Sequence, residues 1–350
     1  MLNSLYGVLP QDLESFFAKD FPAYRVRQLL NWVYRKFVFD PNQMTDLDQG
    51  FKSALEAAFD LSMPQIAEKH LSRDGSTKYR LVLADGDQIE MVLMPEGKKR
   101  TLCVSSQVGC ARACAFCATA RMKRRRNLHS HEIIQQILLA AQEADAPLTN
   151  LVFMGMGEPL DNLDNVLDAL SLIQHQGTLA FSPRRATVST CGIVPGIRRL
   201  ADSKVKVKLA VSLNSARNEV RDVLMPVNKL YPLSTLKQSL LYYQKKSSFR
   251  ITLEYILIPG MNMAAEDLKA LRKFSGDLSC KINFIPYNPV PGLPHQAPSE
   301  DEIQQFMEKA RELPQAVMLR RSKGADIAGA CGQLVTGAAA KTTGENHAKD

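Results

Sequence analysis

Cys110, Cys114 and Cys117 fall within eight residues, in the stretch VGCARACAFCATA, and their spacing is the feature of this chain most charged with chemistry. Cys-x3-Cys-x2-Cys is an iron–sulfur pattern. A four-iron cluster is held by thiolates on its iron corners, so three close cysteines leave one iron open to a ligand that is not a cysteine. Two other readings stand beside it. A structural zinc site needs a fourth ligand and normally a paired knuckle, and neither a second Cys-x2-Cys nor a His-x3-His follows. Disulfides are disfavoured by an odd count of seven cysteines and by an opening segment without secretory character.

With Phe116 before its last cysteine, the triplet resembles the radical S-adenosylmethionine (SAM) superfamily, in which the open iron binds the amino and carboxylate groups of SAM. Further stretches narrow the resemblance: LVFMGMGEPLDN, RRATVSTCGIVPGI, KINFIPYNPVPG and GADIAGACGQL are similar, in that order, to the RlmN/Cfr family of adenosine methyltransferases. The N-terminal part is similar too, so the likeness covers nearly the whole chain.

The resemblance implies a [4Fe-4S] cluster on Cys110, Cys114 and Cys117, and SAM contacts at Gly157, Glu158, Ser189, Ser212, Leu213, Asn214 and Asn288. It further implies that Cys331 becomes S-methylated, that Cys103 is its disulfide partner during release, and that Glu90 is the base. Two SAM molecules would be used per turnover. SLN at Ser212–Asn214 departs from the family's usual Ser-Leu-His; an amide still donates and accepts hydrogen bonds but does not titrate. Read without the family, the serines are caps or turn formers, Glu90 is an outward strand residue, and the two outlying cysteines are buried apolar thiols. Cys191 and Cys280 keep that last reading.

The implied reaction has a chemical reason. An adenine carbon flanked by two nitrogens is electron-poor and does not attack the SAM methyl group as an amine would, so a radical route is required. The expectation is methylation of adenosine C2 in 23S rRNA and in tRNA beside the anticodon, in the cytoplasm, by a monomer reduced by a donor such as flavodoxin. Alternatives are C8 methylation of the Cfr type, with which the cluster, cysteines and SAM motifs are shared, and an iron–sulfur RNA-binding protein without methyl transfer.

The elements that must position these residues follow from pattern and composition. The 350 residues are 45% hydrophobic, enough for a large core, and no apolar run reaches membrane-spanning length. A net charge of +8 and a pI near 9.1 favour a polyanionic partner. Basic residues gather at Arg121, Lys123, Arg124, Arg125 and Arg126, and in pairs at Arg184–Arg185, Arg198–Arg199 and Arg320–Arg321. Residues 1–75 read as a helical RNA-docking module, with Val26, Leu29, Leu30, Val33 and Tyr34 on one face and Arg25 and Arg27 beside it. Residues 76–99 read as a β extension, KYRLVLA and QIEMVLM around Asp85-Gly86-Asp87. From residue 100 to 336 strands alternate with helices, the first after the cysteine loop capped by Ser130, as a partial (β/α)6 TIM-type barrel. Every family motif then falls at the carboxyl ends of strands. Residues 337–350 read as a disordered tail.

Overall fold

The computed structural model describes residues 2–122 and 126–336; Lys123, Arg124 and Arg125 of the basic run, and the tail from residue 337, lie outside the described residues. One ten-stranded sheet organises the chain. Its strands are β1 (Gln65–Leu71), β2 (Thr77–Val82), β3 (Gln88–Glu96), β4 (Lys99–Cys103), β5 (Asn150–Phe153), β6 (Ala186–Thr190), β7 (Lys208–Ser212), β8 (Ile251–Leu257), β9 (Cys280–Pro286) and β10 (Ala316–Leu319). They lie side by side in chain order. Pairing is antiparallel from β1 to β4 and parallel from β4 to β10. No pairing among the described residues joins β1 to β10, so the sheet is an open α/β structure, in keeping with the expected partial barrel.

The parallel strands are largely apolar and buried on both faces: every residue of β8 is buried, Thr252 and Glu254 included, as in a strand covered by helices on one side and enclosed on the other. Crossovers are made by α4 (Ser130–Glu143), α5 (Leu163–Gln174), α6 (Val194–Asp202), α9 (Leu233–Lys246), α10 (Ala265–Ser275) and α11 (Glu300–Ala310). Two short helices, α7 (Asn218–Leu224) and α8 (Val227–Leu230), sit between β7 and α9. No described helix is long and apolar enough to cross a membrane.

Several details differ from the sequence reading. Ser130 is the first residue of α4 rather than its cap; His129 precedes it, and its N–H donates to the Glu132 carboxylate at 2.7 Å. Helices α7 and α8 were not anticipated, being seven and four residues long, too short to show a period. Strand β1 was also missed. Its sequence, QIAEKHL, is almost wholly exposed and lacks apolar alternation, so edge pairing with β2 makes it a strand. The β extension of residues 76–99 and the strand before it continue the same sheet as the parallel strands.

At the N-terminus, α1 (Pro10–Phe17), α2 (Ala23–Tyr34) and α3 (Gln49–Ala58) pack together, with Val26, Leu29, Leu30, Val33 and Tyr34 buried on the face their spacing predicts. The Phe17 and Phe51 rings pack at a tilt with centroids 4.9 Å apart, and Arg25 pairs with Asp48 at 2.7 Å. That guanidinium ties α2 to the start of α3, whereas Arg27 is exposed.

The β1–β2 turn has a positioning task. Asp74 accepts from Gly324 N–H at 2.8 Å, Asp326 accepts from Ser72 Oγ at 2.5 Å and from Arg73 N–H at 3.1 Å, and Lys323 Nζ donates to Pro95 O at 2.9 Å. These contacts pin the loop after β10, which carries Cys331. Burial opposes ionisation of Asp74, but the Gly324 and Ser76 N–H groups outweigh it and bring its pKa to about 2. A carboxylate lowered below its unfolded value stabilises the fold above that unfolded value, and the contribution disappears as pH falls towards about 2. Asp74→Ala should therefore cost about 1 kcal/mol at neutral pH after allowance for solvent screening. Hydrogen exchange checks it: amides of residues 324–331 should exchange roughly fivefold faster while β8 is unchanged.

Candidate active site

Register places the site residues. Residues directly paired on neighbouring strands share a face, and so do residues two apart on one strand. Cys103 pairs with Val92 and Val152, Ser189 with Ala210, and Ser212 with Glu254, which pairs in turn with Asn283. Glu90 lies two residues before Val92. Glu90, Cys103, Ser189, Ser212, Glu254 and Asn283 therefore all belong to the concave face of the sheet.

The cysteine triplet follows β4 and closes over the carboxyl ends of the parallel strands. Cys110, Cys114 and Cys117 line a cavity together with Gly157, Glu158, Ser189, Ser212, Asn214, Glu254 and Cys331. All three are free thiols. Burial, and then in part the neighbouring thiols, raises their pKa values, that of Cys110 to about 12. Three thiolates are thus unfavourable here unless cations join them. Among the described residues no three His, Cys, Asp or Glu side chains converge closely enough for a single metal ion. Three thiols sharing one cavity wall instead suit a multi-iron cluster, in which each thiolate takes a different iron.

The Met154–Glu158 loop is shaped by the chain itself. A Cβ on Gly155 would lie 2.7 Å from Val104 O, and one on Gly157, where φ is +101°, would lie 2.6 Å from Gln107 Cβ. These glycines let the loop pack on the segment leading to the cysteines, rather than leaving room only for a ligand. Glu158 is buried, accepting Leu160 N–H at 3.0 Å on one oxygen and Cys191 N–H at 2.7 Å on the other. Burial raises its pKa; those N–H groups pull it back. Each oxygen keeps a lone pair for a further donor.

The other expected SAM contacts separate. Ser189, Ser212 and Asn214 line the cavity, but Asn214 is also a splice: at φ 56° its Oδ1 accepts Ile256 N–H at 2.9 Å and its carbonyl accepts Asn262 Nδ2 at 2.7 Å. Leu213 does not line the cavity; its side chain is fully buried in the core. Asn288 lies outside it as well, donating to Ser322 Oγ at 2.8 Å and Cys331 O at 3.3 Å, and so holds the Cys331 loop.

Cys331 also lines a second cavity, together with Cys103, Met94, Met154, Arg320 and Lys323. Both cysteines are free thiols. Burial pushes the Cys103 thiol up to about 12, against the pull of Met154 N–H and Arg320. Arg320 Nη1 lies 3.8 Å from Glu254 Oε1, linking the two cavities electrostatically. Glu90 lines neither. Its carboxylate meets Lys78 Nζ at 3.1 Å and accepts Val335 N–H at 2.9 Å; burial raises its pKa despite both.

Sequence reasoning passed over Arg112, which pairs with Asp161 beside the cysteines, and Arg221, fully buried and donating to Leu213 O, Cys191 O and Asn228 Oδ1. It also passed over Glu254, though a single acid inside the apolar strand ITLEYIL is a legible signal of a buried charge. The basic run is largely structural where described: Arg126 is held by Asp85, Asp87 and Glu132, and Arg121 donates to Pro291 O.

Comparison with known proteins agrees with this geometry. Residues 104–274 match the model of the radical SAM superfamily, and residues 3–61 match that of the ribosomal RNA large subunit methyltransferase N-terminal domain. The dual-specificity RNA methyltransferase RlmN of Geobacter sulfurreducens is 43% identical over 94% of this chain and 91% of its own length. That of Desulfotalea psychrophila is 43% identical over 90% of each. The crystal structure of a radical SAM methyltransferase from Sphaerobacter thermophilus superposes with a TM-score of 0.91 at 38% identity, covering 95% of this chain and 99% of that one.

Glu254 supplies a pH test. Burial raises its pKa, with Arg320 and Asn283 opposing, and its Oε2 has no hydrogen-bond partner. A carboxylate raised above its unfolded value destabilises the fold above the folded pKa, and that cost disappears as pH falls to the unfolded value near 4.5. Glu254→Gln should raise the urea midpoint of the metal-free protein at pH 8, with the gain vanishing towards pH 4.5.

Proposed function

The chain belongs to the RlmN family of radical SAM RNA methyltransferases, and on that footing we propose how its two cavities divide the work. The family brings a [4Fe-4S] cluster and two SAM molecules per turnover, and its substrate is RNA. We assign the cluster to Cys110, Cys114 and Cys117, which with SAM supplies the one-electron chemistry that makes a carbon radical. Glu158 offers its free lone pairs to the SAM ammonium, Ser189 and Ser212 offer hydroxyls, and Asn214 offers its cavity-facing edge. Leu213 acts through the backbone and Asn288 through the Cys331 loop.

Methylation is assigned to C2 of an adenosine in 23S rRNA and in tRNA next to the anticodon. The observation that carries methyl transfer through a cysteine, whichever adenine carbon receives it, is the position of Cys331 on the shared wall of both cavities. A methyl group on its sulfur can face SAM on one side and a nucleoside entering the second cavity on the other. Cys103, lining that second cavity with Cys331, is assigned to attack the Cys331 sulfur: a disulfide forms, the sulfur–carbon bond to the product breaks, and the carbon keeps the electron pair and takes a proton. Glu90, with its raised proton affinity, is the proposed base; it serves once Val335 N–H releases its Oε2. An RNA-binding protein without methyl transfer would leave Cys331 without a task. The N-terminal helices, with exposed Arg27, are assigned to RNA docking, and a flavodoxin-like donor, a monomer and a cytoplasmic location complete the proposal.

Nuclease digestion of RNA treated with cluster-reconstituted enzyme, followed by chromatography and mass spectrometry, tests it. 2-Methyladenosine is expected; 8-methyladenosine or no methylation would contradict the assignment. Two variants separate the cysteines. Cys103→Ala should trap labelled RNA as a covalent adduct on denaturing gels, and Cys331→Ala, lacking the acceptor, should not. Normal turnover by either variant, or an adduct with Cys331→Ala, would refute these roles. Replacing any of Cys110, Cys114 or Cys117 by Ala should abolish iron binding and SAM cleavage together.

A further inference from the structure

The end of the sheet opposite the cavities carries a cluster of positive charge, of which only Lys281 acts on the proposed site, through its attraction to the Glu254 carboxylate. Arg184 and Arg185 immediately precede β6, Lys206 and Lys208 enter β7, Arg250 precedes β8, and Lys281 is the second residue of β9. All six therefore sit at the amino-terminal ends of four neighbouring parallel strands. No side chain among them makes a hydrogen bond or ion pair with another described residue. The acids at this end are engaged elsewhere: Asp202 with Tyr242 and Lys246, Asp277 with Lys237.

The other basic pairs behave differently. Arg199 pairs with Asp164 and Arg321 with Glu300, while Arg198 lies over the Tyr242 ring. Lys208 and Lys281 share the concave face, because Lys208 stands two residues before Ala210, which pairs with Thr252, itself paired with Lys281. Both are only partly exposed. Burial, then Lys281 and Arg184, holds the Lys208 pKa below the usual lysine range. Like charges brought together, with only Lys281 partly offset by Glu254, repel, and a polyanion relieves the repulsion while releasing its own counterions.

We propose that this amino-terminal end of the open barrel is a second RNA-binding face, contacting backbone phosphates of the substrate well away from the nucleoside that enters the catalytic cavity. The inference rests on the RNA-methylation reading and adds to it a remote contact surface. Strands of about five residues at roughly 3.3 Å each put this face some 15 Å or more from the cavity mouth. Only an RNA larger than the loop around the target adenosine reaches both. The contacts carry no sequence information; they register a large folded RNA and explain why a short fragment would bind less well.

The test compares full-length tRNA with its isolated anticodon stem-loop, using fluorescence anisotropy over a range of salt concentrations. The full chain and a variant with Arg184→Gln, Arg185→Gln, Lys206→Gln and Arg250→Gln, all exposed positions, are titrated in parallel. For full-length tRNA the slope of log affinity against log salt should shrink by about 3 in the variant, at roughly 0.7–0.9 per phosphate contact. For the stem-loop it should not change. A companion variant with Arg184→Lys, Arg185→Lys and Arg250→Lys should retain the wild-type slope, and equal melting temperatures exclude misfolding. An unchanged slope with tRNA, or equal losses with both RNAs, would overturn the second face while leaving methylation intact. A wild-type protein that bound neither RNA would overturn the underlying reading as well.

Discussion

The site depends on two hydrogen bonds that lash the C-terminal segment to the cysteine loop. Ala118 N–H donates to Gly332 O at 2.7 Å, and Thr119 Oγ1 donates to Leu334 O at 2.6 Å. Through them the residue after Cys331 is fixed to the turn that follows Cys117. A Cβ on Gly332, where φ is +84°, would come within 3.3 Å of Phe116 O, so both the backbone conformation and the tight approach favour glycine. Beyond it, Val335 caps Glu90 and Thr336 donates to Gln88 O, returning the chain to β3. Cys331 is thereby held in the partition between two cavities, with the thiols of the cysteine loop on one side and Cys103 on the other.

The concave face around this partition holds ionisable groups at a cost. Glu90, Glu158 and Glu254 are buried and have raised pKa values. An apolar repacking of these positions would relieve that cost, and the groups make sense together only as a surface built to receive polar ligands. Their partners differ in a useful way. Glu158 is immobilised by two backbone N–H groups, which fixes an acceptor in place before any ligand arrives. Glu254 keeps one oxygen without a partner, and Arg320 approaches it only loosely. Charge is thus poised on both sides of the sulfur assigned to carry the methyl group.

Much of this could be read from the sequence because local pattern and chemistry agree there. Runs such as LVFM and KINFIP are short, apolar and bounded by turn residues, and they became interior parallel strands; the cysteine spacing needs no tertiary context to suggest a metal cluster. What could not be read comes from contacts distant in sequence. Strand β1 has no apolar alternation and exists because β2 pairs with it. The flanks of the cysteine loop look like solvated basic sequence, yet Arg126 is consumed by three carboxylates. The Leu213 side chain packs in the core and the Asn288 amide braces the Cys331 loop, placements that side-chain direction decides and motif position does not. The unpaired cations before β6 to β9 lie in four separate stretches, and only parallel pairing gathers them.

The central claim is that Cys103 and Cys331 face each other across the second cavity, apart from the cluster thiols. Mild oxidation of the cluster-loaded protein, followed by non-reducing peptide mapping, tests this without RNA or catalysis. The account predicts one dominant bridge, Cys103 to Cys331, with Cys191 and Cys280 left as free thiols. Absence of that bridge under conditions that oxidise exposed thiols, or Cys331 bridged instead to Cys110, Cys114 or Cys117, would contradict it.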